Sequence, residues 1–116
     1  MPAATDDLVT LPHVLDAVCH VVSGKKVQAE GFAARVLELS LRGGTLLAYR
    51  RVRMLSNLKI EVWPPNRQPL EVYAKVVHTS RDGTIGVRFV VLPTDASNRL
   101  KELLRDARAA VAGARP

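Results

Sequence analysis

Two short runs of this chain alternate strictly between apolar and outward-facing residue types. Leu58, Ile60 and Val62 interleave with Lys59, Glu61 and Trp63. Leu70, Val72, Ala74 and Val76 interleave with Glu71, Tyr73 and Lys75. Successive side chains of a strand point to opposite faces, so a period of two predicts half-buried β-strands. The intervening "PPNRQP" (residues 64–69) predicts a rigid turn, because proline cannot donate to a ladder. Ile85, Val87 and Phe89 alternate with Thr84 and Arg88 behind "SRDG" (residues 80–83), where Asp-Gly signals a hairpin. Upstream, residues 14–22 and 27–39 are strand-forming runs around a Ser-Gly-Lys-Lys turn, with Gly31 predicted to mark a bulge or a bend. A short third strand is predicted over residues 45–49.

The period then changes. Leu100, Leu103, Leu104, Ala107 and Val111 fall on one stripe of a helix, with Arg99, Lys101, Arg105 and Arg108 outside it. Thr94 is the expected N-cap, Asp95 favours the positive end of the helix dipole, and Gly113 ends the helix. The expected organisation is a flexible acidic arm over residues 1–12 and one domain over residues 13–112, its helix spanning residues 95–112. The fold class is mainly β: six antiparallel strands, closed to hide their edges, and a C-terminal helix over an open end or a seam.

Charge adds a direction. Residues 1–23 hold Asp6, Asp7 and Asp16 and no Lys or Arg; the rest carries all 17 Lys and Arg against 8 acids, a net +9. Such a field favours anionic partners. The lone Cys19 permits no intrachain disulfide, the first residues lack the cationic start and apolar run of a signal peptide, and no window suits a membrane span. A cytoplasmic protein is expected.

Catalytic constellations are not found. Cys19 and His20 point to opposite faces of one strand, so they form no dyad. Cys19 reads as a small buried hydrophobe. His13, His20 and His78 lack metal-ligand spacing. No enzyme, metal or resident cofactor is expected. Arg50, Arg51 and Arg53 form the densest basic cluster, readable as a solvated loop or as an anion or partner contact. Basic residues with few aromatics interleaved make nucleic-acid binding the weakest class. Trp63 and Tyr73 are placed on outward faces, as an interaction patch or as packing for the helix.

One turn holds more chemistry than a corner needs. "ELSLRGG" brings Glu38, Ser40, Arg42, Gly43 and Gly44 between two apolar runs. Glu38, Ser40 and Gly43 have the spacing of the Asp/Asn-x-Ser-x-x-Gly motif, and "DGTIGVRFVVLPTDASNRLKELL" (residues 82–104) has a Gly-Val-x-Phe strand, a loop and a helix. In strand order and in both motifs the chain resembles the PilZ domain family of bacterial regulatory modules, over roughly residues 14–105.

The resemblance implies cyclic di-GMP, a dianionic second messenger, as the ligand of the turn. It also implies two arginines separated by three residues, just ahead of the first strand. Residues 1–13 contain no Arg or Lys. Each charge-assisted hydrogen bond is worth about 1.5–3 kcal/mol. Losing two such groups therefore weakens binding on the order of 10²- to 10⁴-fold. Glu38 in place of Asp or Asn shifts the carboxylate by a methylene, while Gly43 and Gly44 are expected to allow positive φ and close backbone approach.

The function expected from the resemblance is a regulatory adaptor of cyclic di-GMP-type signalling with weak or no nucleotide binding. It would dock on a protein partner of a motility or envelope system through a barrel face, the arginine loop or the basic helix. The alternative is a true cyclic di-GMP receptor with a non-standard site at residues 38–43.

Overall fold

The computed structural model describes residues 8–65 and 67–113, with side chains described as far as residue 110. Six strands run in chain order: β1 (Val9–Ser23), β2 (Lys26–Leu39), β3 (Gly43–Ala48), β4 (Asn57–Trp63), β5 (Leu70–Thr79) and β6 (Thr84–Val91). One helix, α1 (Thr94–Gly113), follows. The strands close a barrel in the order β1-β2-β3-β6-β5-β4, with every pair antiparallel. Two three-strand meanders are thus stitched along β3–β6 and β4–β1, and closure leaves no free edge.

The alternating runs place their apolar sets inward. Leu58, Ile60, Val62, Val72, Ala74, Val76, Ile85 and Val87 are buried, as are Ala17, Cys19, Ala34, Val36 and Leu46 from the first meander. Cys19 is a core residue, and burial pushes its thiol up to about 12. Aromatics contribute little to this interior, whose one buried ring is Phe32.

Strand β1 starts earlier than expected. Val9 pairs with Leu39 and Thr10 with Glu38, so residues 9–12 belong to the barrel and not to an arm. The register then slips between Thr10 and Leu15, a bulge that contains Pro12 and His13. Asp6, Asp7 and the rest of the expected arm lie outside the described residues. Gly31 pairs regularly with His20; the irregularity lies beside it, opposite Val21. His20 Nδ1 is 2.9 Å from the Gln28 carbonyl, and its ring covers Gly31 where a Cβ would stand.

The helix packs against β1 and β5, which flank β4, and so closes one end of the barrel. Ala96, Leu100, Leu104 and Ala107 are buried in the core and Leu103 is half-buried, as the stripe predicts. The side chain of Val111 lies outside the described residues. The N-cap is displaced by one position: the Pro93 carbonyl accepts from the Ser97 N–H at 2.8 Å, so Pro93 is the cap and Thr94 the first helical residue. Arg99 does more than line the outside. It donates to the Pro69 carbonyl at 2.9 Å and to Gln68 Oε1 at 3.0 Å, and Arg67 pairs with Asp106, latching the β4–β5 loop to the helix.

Topology sorts the connections to two ends. The β1–β2 and β5–β6 hairpins and the β3–β4 loop share one end. The β2–β3 turn, the β4–β5 loop and α1 share the other.

Candidate functional site

The β2–β3 turn is built around one hydroxyl. Ser40 Oγ accepts from the Arg42 N–H at 3.0 Å and the Gly43 N–H at 3.2 Å, and lies 3.4 Å from the Gly43 carbonyl. That carbonyl also accepts the Ser40 N–H at 2.8 Å. Ser40 is the one buried polar side chain among the described residues, and its partners all lie inside its own turn.

The two glycines serve approach and not handedness. Neither has a positive φ; that region is used by Gly24 and Gly83 in the hairpins. A Cβ on Gly43 would stand 2.0 Å from the Val87 carbonyl oxygen, and one on Gly44 2.6 Å from that of Glu38. Gly43 therefore lets β3 lie against β6, where it pairs with Arg88, and β3 begins two residues earlier than the apolar run suggests. The Arg42 carbonyl accepts from the Phe89 N–H at 2.7 Å and fixes the turn to the same strand. Glu38 is half-buried, with Thr10 Oγ1 3.4 Å from its carboxylate.

Outside the turn lies an open groove of about 830 Å³. Its walls include Ser40, Arg42, Gly43 and Gly44, but also Leu8, His78 and Arg88. Exposed Leu8, Leu41, Val77 and Val90 make much of this surface apolar. Among the described residues Arg42 and Arg88 have no carboxylate partner. Arg88 and His78 are the site residues that the sequence did not reveal. Their nearness to the motif depends on β3 pairing with β6, a contact between distant strands.

Of the expected site residues, Glu38, Ser40, Arg42, Gly43 and Gly44 come together. Arg50, Arg51 and Arg53 do not join them. They sit in the β3–β4 loop at the opposite end of the barrel, against Ser80 and Arg81 of the β5–β6 hairpin. Arg50 stacks on the Phe32 ring, its Cζ 5.5 Å from the centroid. Trp63 is exposed and donates to Glu61 at 3.0 Å, so it does not lie beneath the helix. Among the described residues no group of His, Cys, Asp and Glu is placed to hold a metal ion.

The PilZ domain model matches residues 14–106. The chain belongs to the PilZ domain family. Solved PilZ structures share its barrel. The PilZ domain of YcgR from Escherichia coli, described with c-di-GMP, superposes with a TM-score of 0.70 at 11% identity, covering 90% of each chain. The PilZ domain of CeSA from a cellulose-synthesizing bacterium gives 0.62 at 10% identity, over 84% of this chain and 96% of that one. YcgR from Escherichia coli in complex with c-di-GMP gives 0.65 at 17% identity, over 93% of this chain and 49% of that one. Comparison with curated protein sequences gives no match. At these identities the likeness establishes the fold. In this PilZ barrel the turn motif is present in spacing, with Glu38 as its acid and its serine closed on itself.

Proposed function

We propose that this PilZ domain is a cytoplasmic regulatory module of cyclic di-GMP-type signalling that acts as a protein-interaction adaptor and binds the nucleotide weakly or not at all. The observation that carries this reading is the Ser40 hydroxyl, whose oxygen accepts from the Arg42 and Gly43 N–H groups and whose O–H faces the Gly43 carbonyl at 3.4 Å, so its partners among the described residues all lie in its own turn. The segment beside the turn points the same way: Leu8 lines the groove there, and residues 1–23 include no Arg or Lys. The groove has the volume of small-molecule sites, which run roughly 300–1,000 Å³, so chemistry and not size argues against the nucleotide. Leu8, Leu41, Val77 and Val90 around Arg42 and Arg88 suit a partner segment that carries apolar and acidic side chains. The partner we propose, by resemblance to the family, belongs to a motility or envelope system. Catalysis has no part in this role.

Isothermal titration with cyclic di-GMP tests it. No saturable heat well above micromolar nucleotide is the expected result. Saturable heat at micromolar concentration or below overturns it and favours the second reading, a receptor with a non-standard site. One observation supports that second reading: Arg42 and Arg88 stand unpaired on the wall of the motif groove. In that case Arg42→Ala or Arg88→Ala would weaken the heat without unfolding the barrel.

A further inference from the structure

The end of the barrel away from the motif has its own chemistry. Arg50, Arg51, Arg53 and Arg81 line an open groove with Thr79, Ser80, Met54 and Val52, and no carboxylate lines it. None of the four arginines makes an ion pair among the described residues. The nearest acid in the hairpin, Asp82, is engaged elsewhere: its Oδ1 accepts from Thr84 Oγ1 at 2.7 Å and the Thr84 N–H at 2.9 Å, which holds its carboxyl below the usual range. The β1–β2 hairpin at this end adds exposed Lys25 and Lys26.

In the same loop as Arg50, Arg51 and Arg53 lies an apolar tip. The Ser56 N–H donates to the Arg53 carbonyl at 3.2 Å, closing a turn with Met54 and Leu55 at its centre. Both side chains are exposed, Leu55 at 63%. Leu55 has φ 65°, at the turn position where glycine is the favoured residue. Two backbone bonds hold it there: Leu55 N–H to the Val76 carbonyl at 2.7 Å, and Val76 N–H to the Ser56 carbonyl at 2.9 Å. Left-handed backbone at a bulky residue is strain that the surrounding fold must maintain. Here it fixes a leucine outward into solvent.

We propose that this end docks on an anionic lipid surface. The arginines bind phosphate headgroups, and Met54 and Leu55 enter the acyl boundary. A membrane is favoured over an acidic protein because exposed Met54 and Leu55 share one loop with Arg50, Arg51 and Arg53, with Lys25 and Lys26 at the same end of the barrel. A bilayer accepts such a tip anywhere on its surface, whereas a protein must supply a matching pocket. The proposal is independent of nucleotide binding at the opposite end.

Co-sedimentation of the full chain tests it, with vesicles of phosphatidylcholine and phosphatidylglycerol in about equal parts against phosphatidylcholine alone. Binding is expected to the anionic vesicles only. Each arginine near the surface contributes roughly fivefold, so Arg51→Gln with Arg53→Gln should lower the partition about 30-fold. Leu55→Gly should lower it about tenfold or more. The same change relieves the positive φ, so its thermal midpoint should rise, which separates lost binding from lost folding. No binding by the unaltered chain overturns the proposal. So does binding that the arginine pair does not affect. Binding that Leu55→Gly leaves unchanged also overturns it, since the apolar tip would then take no part.

Discussion

Replacing Ser40 with Ala decides whether the motif serine is a strut or a ligand group. The substitution removes one oxygen that accepts two backbone N–H groups, those of Gly43 and Arg42. Gly43 is buried, so its N–H is left without a partner, at a cost of about 1–3 kcal/mol. Arg42 is exposed and water can reach its amide, so that loss contributes at the lower end of the same range. The sum is about 2–4 kcal/mol. For a domain of this size, 1 kcal/mol moves the thermal midpoint by about 4 °C, so a fall of roughly 8–15 °C is expected.

Urea titration followed by circular dichroism gives the free energy directly, and an unchanged slope shows that the barrel still unfolds as one unit. Ser40→Ala within about 0.5 kcal/mol of the parent would refute the strut reasoning. It would mean that the turn amides are satisfied without the hydroxyl, and that the serine is kept for something outside the fold.

Two further perturbations probe the interior. Gly43→Ala puts a methyl 2.0 Å from the Val87 carbonyl, a backbone atom that no rotamer change can move, so β3 and β6 must part. A loss of about 3 kcal/mol or more is expected by urea titration, and a variant within about 1 kcal/mol of the parent would contradict the close approach. Cys19 should resist a thiol reagent in the native state, because burial holds its thiol near 12, and react on denaturation. Its folded value lies above that of the free thiol, so its contribution to stability is complete below about pH 9 and is lost as pH rises toward 12. Urea midpoints measured across that window should fall less steeply for Cys19→Ala than for the parent.

Local pattern carried most of the fold. The alternation of residues 58–63 and 70–76 located β4 and β5, and the stripe from Leu100 to Ala107 located the helix, because each element buries one face. The pattern failed where the backbone departs from a simple period. Leu11, Pro12, His13 and Val14 fill a bulge opposite Leu37, so the first residues of β1 lose their alternation and read as an arm. The helix start was misplaced because Thr94 lies inside the first turn and the N-cap position falls on Pro93, which has no side-chain oxygen to announce it. The motif turn was legible as residues and not as mechanics. Gly43 and Gly44 suggested left-handed backbone and close approach; only the approach holds, where their lack of a Cβ admits β6 and Glu38. Leu55 gave no signal at all, since nothing in a leucine suggests positive φ.

The net charge of +6 describes no single field on this molecule. Arg42 and Arg88 belong to the motif groove, and Arg50, Arg51, Arg53 and Arg81 to the far end. The six residues of β3 separate the two sets, about 17–20 Å at strand rise. At physiological ionic strength charge is screened within about 8 Å, so neither set sees the other. The arginine loop therefore cannot replace cations missing from the nucleotide side. A ligand bridging both would have to lie along the outside of β3, over Thr45 and Leu47, where the strand offers it no charge. The two arginine sets therefore stand at opposite ends of one barrel. Substitutions at the two ends should act independently, as sites without shared contacts do.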